Sequence, residues 1–159
     1  MYRMKEDFVS DWAASAAGTL AVMKSITDEK MDTAIVEGHN SLSWLAWHLT
    51  GTAAIFGQIA GLQVPAVERG AGTTPVHMAE IVAKYEEINE AYKREANQWT
   101  DEQMSEEIQA FGGKMMRGKF LRLLIDHQTH HRGQMTVLLR QAGLIVPGVV
   151  GPTREMQAK

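Results

Sequence analysis

Three of the six histidines in this 159-residue chain lie within residues 126–134, where their spacing suits metal chemistry. If the segment is helical, His127 and His131 are four residues apart. Their imidazole rings then project one turn apart from the same face and can bind a single ion. His130 is three residues from His127 and projects toward the other flank. Because two imidazoles alone make a weak site, the pattern predicts a third ligand from another part of the fold.

The third candidate ligand is His48, on a second predicted helix whose N-cap is Ser41. A helical spacing of three and four residues joins Leu45, His48, Thr52, Ile55 and Ile59. Two neighbouring tryptophans make the setting apolar, so an unpartnered imidazole there would lose its hydrogen bonds to water. Taken alone, His48 is better described as a core histidine that is bonded to a carbonyl or a carboxylate.

Together, one histidine from the second helix and two from a later helix favour a shared divalent cation over independent core histidines. The chain has no cysteine, so disulfides and thiolate ligands are excluded. Three neutral ligands leave a coordination position open, which is typical of catalytic sites, whereas structural zinc usually has four protein ligands. An open position can lower the pKa of a bound water or thiol. Gln128 replaces the glutamate of an H-E-x-x-H motif, so a peptidase of that kind is not expected.

The elements that must position these ligands are four predicted helices. The first covers residues 5–25, the second follows Ser41, the third has an apolar stripe across residues 78–99, and the fourth covers residues 115–141. In the fourth helix, His127 and His131 continue an apolar stripe. Gly133 costs about 1 kcal/mol relative to alanine inside a helix, so it predicts close approach by another helix or a ligand.

The predicted connections differ in length and character. Residues 61–75 are rich in glycine and proline and form a long loop, which suits a crossover along the bundle or a segment over a site. Residues 111–114 are expected to be a flexible connection, and Gly143 a C-cap. We expect an extended tail over residues 144–159. The sequence therefore predicts one all-α domain, a four-helix bundle over residues 1–159.

Composition limits the possible partners and location. Hydrophobic residues make up 45% and charged residues 22% of the chain, which is ordinary for a globular protein. A formal net charge of −3 gives no electrostatic reason to expect nucleic acid. No stretch reaches the roughly 20 apolar residues that a membrane span needs. We therefore expect a cytoplasmic protein without nucleic-acid or membrane partners.

The chain resembles the DinB-like family in three runs: Trp-Leu-Ala-Trp-His-Leu at residues 44–49, His-Gln-Thr-His-His-Arg-Gly-Gln at residues 127–134, and Leu-Arg-Gln-Ala-Gly at residues 139–143, which Val-Pro-Gly follows at 146–148. The similarity extends from the first helix to Gly148. It implies a four-helix bundle with a long crossover after the second helix, and frequent homodimers. It also implies a divalent metal held by one histidine of the second helix and two of the fourth, at positions that match His48, His127 and His131.

The resemblance also implies a class of chemistry. The better understood members include metal-dependent transferases and isomerases that use a low-molecular-weight thiol such as bacillithiol or mycothiol. It therefore favours a transferase that acts on a small-molecule substrate with an external thiol. A hydrolase that uses metal-bound hydroxide and a non-enzymatic, metal-stabilised bundle are the alternatives. Histidine ligands suit zinc, nickel, iron and copper, of which zinc and nickel are the first candidates.

Overall fold

The computed structural model describes residues 1–157 and contains the predicted four-helix bundle. The bundle consists of α1 (Lys5–Lys24), α2 (Leu42–Ala60), α3 (Met78–Ala96) and α5 (Arg117–Gln141). Two short helices accompany it, α4 (Asp101–Met104) and α6 (Arg154–Gln157), with a 3-10 turn at Asp28–Lys30. Helices α1 and α2 each pack against both α3 and α5. The all-α prediction is confirmed, and within the described residues no helix is long and apolar enough to cross a membrane.

The ends of α2 follow the local chemistry of the sequence. Ser41 has an extended backbone, and its hydroxyl accepts a hydrogen bond from the Trp44 N–H at 3.2 Å, as expected of an N-cap. The helix ends at Gly61, whose φ of 96° lies in the left-handed region that glycine adopts most readily. These two ends place His48 in the second turn of α2.

The long connection between α2 and α3 is the predicted crossover, and it runs beside α2. Val64 is buried within it, which holds its first part against the bundle. Further along, the Thr73 hydroxyl accepts a hydrogen bond from Trp47 Nε1 at 3.3 Å and donates one to the carbonyl oxygen of Gly70 at 3.0 Å. The loop is therefore attached to α2 next to the position of His48.

The buried faces of α2 and α5 are rotated from the predicted apolar stripes. On α2 the fully buried residues are Leu42, Ala46, Leu49, Thr50, Ala53 and Ala60. On α5 the buried stripe passes through two polar residues, Gln128 and Arg132, instead of through the histidines. The histidines lie on the flank of each buried face and are half-buried. The site consequently lies at the edge of the bundle, in the groove between α2 and α5.

Residues 107–116 form a β-hairpin, so the prediction of a flexible connection at residues 111–114 was wrong. Strands β1 (Glu107–Ala110) and β2 (Gly113–Met116) pair antiparallel, with Ala110 opposite Gly113. The two turn residues, Phe111 and Gly112, have φ values of 47° and 85°, the sign pattern of a type I′ turn. The hairpin gives this segment a fixed conformation that the glycine pair alone did not indicate.

The tail after α5 lies over the bundle, as predicted. Val146 is buried, and Val149 packs against Gly18 of α1. A Cβ atom at Gly18 would lie 2.5 Å from Val149 Cγ1, so glycine is required for this contact. The tail is extended only as far as α6, and its last two residues lie outside the described part of the chain.

Candidate metal centre

His48 from α2 and His127 and His131 from α5 form a compact cluster. One ring nitrogen from each lies within 4.8 Å of the other two. The Nε2 atoms of His48 and His127 are 3.2 Å apart. Ligands bound tetrahedrally at 2.0–2.1 Å from a zinc ion are separated by about 3.3 Å. The three residues predicted from the sequence are thus brought together at a spacing that suits a small divalent cation, and their role as ligands stays a prediction.

The protonation state of the cluster also suits a cation. Burial, together with the neighbouring His131 and His127, lowers the pKa of His48 to about 4. Burial, together with His131 and His130, lowers the pKa of His127 to about 4 as well. Both imidazoles are therefore neutral near pH 7, with a lone pair available.

Not every ring nitrogen of the cluster has a hydrogen-bond partner among residues 1–157. Two neutral imidazoles that face each other through Nε2 can share only one proton, so one hydrogen bond is the most that His48 and His127 can form. The Nδ1 atom of His127 is buried and has no hydrogen-bond partner among residues 1–157. Ring nitrogens without a hydrogen-bond partner remain available as metal ligands. The cluster therefore fits a divalent cation better than it fits a closed hydrogen-bond network.

Gln134 orients one of the three histidines. His131 Nδ1 lies 2.8 Å from Gln134 Oε1, and because a side-chain carbonyl only accepts, the ring must donate this bond. That tautomer leaves the Nε2 lone pair of His131 free for the cluster. The amide nitrogen of Gln134 lies 3.3 Å from His130 Nε2 and donates to it. Sequence reasoning missed Gln134, although its spacing of three from His131 was a usable signal.

His130 itself does not belong to the cluster, in agreement with the predicted direction of its side chain. Arg122, Asp126 and His130 follow one another at spacings of four residues, a helical pattern that predicts a surface network of the three. Arg122 and Asp126 do form an ion pair at 2.6 Å, but the partner of His130 is Gln134. The network is therefore only partly confirmed.

Aromatic side chains form the walls of the site. Trp44 stacks on His48 with ring centroids 4.8 Å apart and an interplanar angle of 9°. Phe56 lies beside His127 at 6.3 Å and stacks on Phe120 at 4.6 Å. The hairpin residue Phe111 extends this aromatic row at 5.4 Å from Phe56. These rings limit the access of water to the cluster from both sides of the groove.

Gln128, between the two histidines of α5 in sequence, points into the core. Its Oε1 accepts hydrogen bonds from the Thr19 hydroxyl at 3.1 Å and the Tyr85 hydroxyl at 3.0 Å, and its Nε2 donates to the carbonyl oxygen of Leu49 at 3.2 Å. The side chain is fully buried. The position that holds glutamate in H-E-x-x-H peptidases is therefore occupied by a structural amide that faces away from the cluster.

Arg132 continues this buried polar face of α5. It donates to the carbonyl oxygen of Ser15 at 2.9 Å and to the hydroxyls of Ser15 and Thr19, both at 3.1 Å. The neighbouring Gly133 faces outward, and no other element of the described chain lies within 4 Å of a Cβ built there. The predicted approach of another helix was therefore wrong within residues 1–157, while the approach of a ligand stays a prediction.

A cavity of about 330 Å³ opens beside His48. It lies between Trp44 and Trp47 of α2 and the crossover loop, which contributes Arg69 and Thr73. Sequence analysis assigned no role to Arg69. The only signal for it was the length of the loop, which suggested a segment over a site.

Comparisons with known proteins agree with this architecture. The model of the DinB family matches residues 1–158. The chain is 36% identical over 162 residues to YrdA, an uncharacterized protein of Bacillus subtilis strain 168, in a match that covers 100% of this chain and 95% of the relative.

Solved structures give the same result. The crystal structure of a DinB-like protein from Bacillus cereus ATCC 10987 has a TM-score of 0.83 and 35% sequence identity, over 94% of this chain and 99% of that one. A DinB-like protein of Bacillus subtilis, YjoA, has a TM-score of 0.70 at 22% identity, over 92% and 99% of the two chains. At that lower identity the likeness shows the fold alone.

Proposed function

The chain belongs to the DinB family, and on that basis we propose that it is a metal-dependent enzyme whose divalent cation is held by His48, His127 and His131. Zinc and nickel are the first candidates for the ion. The proposed reaction is the transfer of a low-molecular-weight thiol, such as bacillithiol, to an electrophilic small molecule. The observation that carries the proposal is the approach of three imidazole nitrogens, from two helices, to within 4.8 Å of one another.

The donor set supports a catalytic rather than a structural ion. Three neutral ligands do not compensate the charge of a divalent cation and leave a coordination position open. When bound, such an ion lowers the pKa of a thiol and makes the thiolate available near neutral pH. The chain's own residues hold and orient the donors: Gln134 fixes the tautomer of His131, while Trp44 and Phe56 restrict water around His48 and His127.

The lining of the adjacent cavity favours thiol transfer over hydrolysis. A hydrolase that activates water usually has a positioned acid or base that accepts and returns the proton. Among the described residues that line the cavity beside His48, none is a carboxylate. Attack by a metal-bound thiolate needs no such base. A metal-dependent hydrolase and a non-enzymatic, metal-stabilised bundle are the alternatives that experiment must separate from the transferase.

Metal content is the direct test. Purified wild-type protein, His48→Ala, His127→Ala and the control His130→Ala would be loaded with zinc or nickel, desalted and measured by elemental analysis. We expect about one equivalent in the wild type and in the control, and loss in both cluster variants, because two imidazoles make a weak site. Metal content that is unchanged in the cluster variants would contradict the proposal.

The reaction type is tested on the loaded protein. We expect turnover of an electrophile such as monobromobimane only with an added thiol, and loss of that turnover in His48→Ala. Ester hydrolysis without a thiol would instead identify the hydrolase. Bound metal without turnover in either assay would favour the non-enzymatic bundle.

The association state and the location are part of the same proposal; the family resemblance supports the first, and the composition of the chain supports the second. We propose a homodimer in the cytoplasm, with the chain folded as a single domain. Light scattering coupled to gel filtration tests the dimer, and a single cooperative unfolding transition by all probes tests the single domain.

A further inference from the structure

Arg69 extends from the crossover loop to the cavity beside the histidine cluster. It lines the same cavity as His48. Its aliphatic stem lies across Gly51, one turn after His48 on α2, where a Cβ atom would be 3.2 Å from both Cγ and Cδ of Arg69. Glycine at position 51 therefore makes room for the arginine stem against the helix. The positive charge of Arg69 also contributes to the lowered pKa of His48 and of His127, as expected of a neighbour.

The Arg69 guanidinium has no protein counter-ion. Four other arginines pair with carboxylates, namely Arg94, Arg117, Arg122 and Arg140. Within residues 1–157, Arg69 forms no such pair and no hydrogen bond. The cavity is otherwise lined by aromatic, hydroxyl and glycine residues and by His48, so no described lining residue offsets the charge. A solvent-exposed arginine is ordinary by itself, but an unpaired one held in the cavity of a metal-binding cluster has the features of an anion-binding residue.

The backbone on both sides of Arg69 is connected to the bundle. Val67 packs against the hydrophobic core two residues earlier. Gly70 follows directly, and its carbonyl oxygen accepts the hydrogen bond from Thr73, which in turn is bonded to Trp47 next to His48. A guanidinium placed in this way loses less conformational freedom on binding than one on a free loop.

These observations identify the chemistry of a ligand. We propose that Arg69 binds the carboxylate of a small molecule whose other end faces the three histidines. The proposal rests on the proposed function and extends it, because it specifies an anionic ligand. The planar guanidinium can donate two parallel hydrogen bonds to a carboxylate, which orients the ligand as well as attracting it. The carboxylate can belong to the thiol or to the electrophile, and the two cases give different binding results.

The test uses the full-length protein loaded with Co²⁺, whose visible absorption reports thiolate binding directly. Two thiols, β-mercaptopropionate and β-mercaptoethanol, differ in carrying a carboxylate or a hydroxyl. For a carboxylate on the thiol, we expect the wild type to bind β-mercaptopropionate about tenfold more tightly than Arg69→Gln does, with similar affinities for β-mercaptoethanol. Arg94→Gln, which removes a distant exposed arginine, is the matched control and is expected to behave as wild type.

A second titration tests whether the electrophile carries the carboxylate. Succinate is added to the complex of the Co²⁺ protein with β-mercaptoethanol, and the spectral change is followed. If Arg69→Gln needs about tenfold more succinate than the wild type, the result supports the proposal with the carboxylate on the electrophile. Equal affinities of wild type and Arg69→Gln in both titrations would overturn the Arg69 proposal and leave the metal site intact. Failure of the wild type to bind Co²⁺ would overturn the proposed function, and the Arg69 proposal with it.

Discussion

Replacement of Gln134 by alanine tests whether a hydrogen bond behind the cluster supports metal binding. In the protein, His131 Nδ1 donates to Gln134 Oε1 at 2.8 Å, which holds the ring in the tautomer that leaves the Nε2 lone pair free. Without this acceptor, the His131 ring can rotate and exchange tautomers. The metal can bind only one of the resulting orientations and tautomers of the His131 ring, so the affinity of the site for the metal falls.

The size of the effect follows from the geometry of the pair. Loss of a partner behind a metal-bound histidine typically lowers metal affinity about 10- to 100-fold. Gln134 is exposed, so water can partly replace its amide oxygen, and we expect a value near the lower limit. A tenfold loss corresponds to about 1.4 kcal/mol. At saturating metal, the tenfold loss of affinity lowers the free energy by which the ion stabilises the folded protein by the same amount, about 1.4 kcal/mol. For a chain of this size, the loss lowers Tm by about 3–6 °C.

The assay is competition for zinc with a chromophoric chelator, together with thermal unfolding at saturating zinc. Two controls isolate the His131 bond. Gln134→Glu keeps an acceptor and is expected to retain or raise the affinity, because a carboxylate increases the basicity of the imidazole. His130→Ala removes only the other partner of Gln134 and is expected to bind zinc as wild type does. Wild-type affinity in Gln134→Ala, or an equal loss in His130→Ala, would refute the reasoning.

Two further predictions concern the bundle outside the cluster. Gln128→Leu leaves the hydroxyls of Tyr85 and Thr19 without their acceptor in the core. At about 1–3 kcal/mol for each of these two buried groups, we expect a loss of about 2–6 kcal/mol in the free energy of unfolding measured with urea; a loss too small to measure would contradict this. Asp28 accepts hydrogen bonds from the His77 ring and the Met78 N–H, which raises the pKa of His77 above 6.5 and lowers the pKa of Asp28 below 3.8. The contribution of His77 to folding stability is present below pH 6.5 and is lost as the pH rises through its raised pKa. The contribution of Asp28 to folding stability is present above pH 3.8. His77→Ala should therefore lower Tm most between these two pH values. A Tm difference that does not change with pH would argue against the pair.

The sequence was sufficient to predict the bundle and the approach of the three histidines. Helical periodicity and the Ser41 cap identified the long helices, and the spacing of four placed His127 and His131 on one face. The match of His48 to the same cluster came from its position on a separate helix beside tryptophans. These signals are local in the chain, which is why they could be read without coordinates.

The direction of the buried face of α5 could not be predicted from apolar residues, because polar residues occupy part of that face. Gln128 and Arg132 were excluded from the predicted buried stripe on account of their side chains, and the stripe was drawn through His127 and His131 instead. The burial of an arginine depends on acceptors from α1, namely Ser15 and Thr19, more than a hundred residues away. Such partners are not visible in the local sequence.

The hairpin and Arg69 were missed for related reasons. Phe111 and Gly112 both adopt positive φ, and phenylalanine gives no indication that it will do so. Its conformation is stabilised by rings from other elements, Phe56 and Phe120. The position of Arg69 depends on Gly51 and on the bond between Trp47 and Thr73, which the sequence does not connect.

The buried polar face of α5 has a thermodynamic consequence for the histidine cluster on its flank. Gln128 and Arg132 fix the rotation of the helix through hydrogen bonds to α1, α2 and α3, and none of these bonds passes through the three histidines. The helix that carries His127 and His131 is therefore held in place without a contribution from these rings, and an ion would meet a backbone that is already ordered. In zinc fingers, ion binding and folding are one event, and much of the binding free energy is offset by ordering the chain. Here the scaffold is already ordered, so ion binding buries little new apolar surface, and a small heat-capacity change is the expected signature.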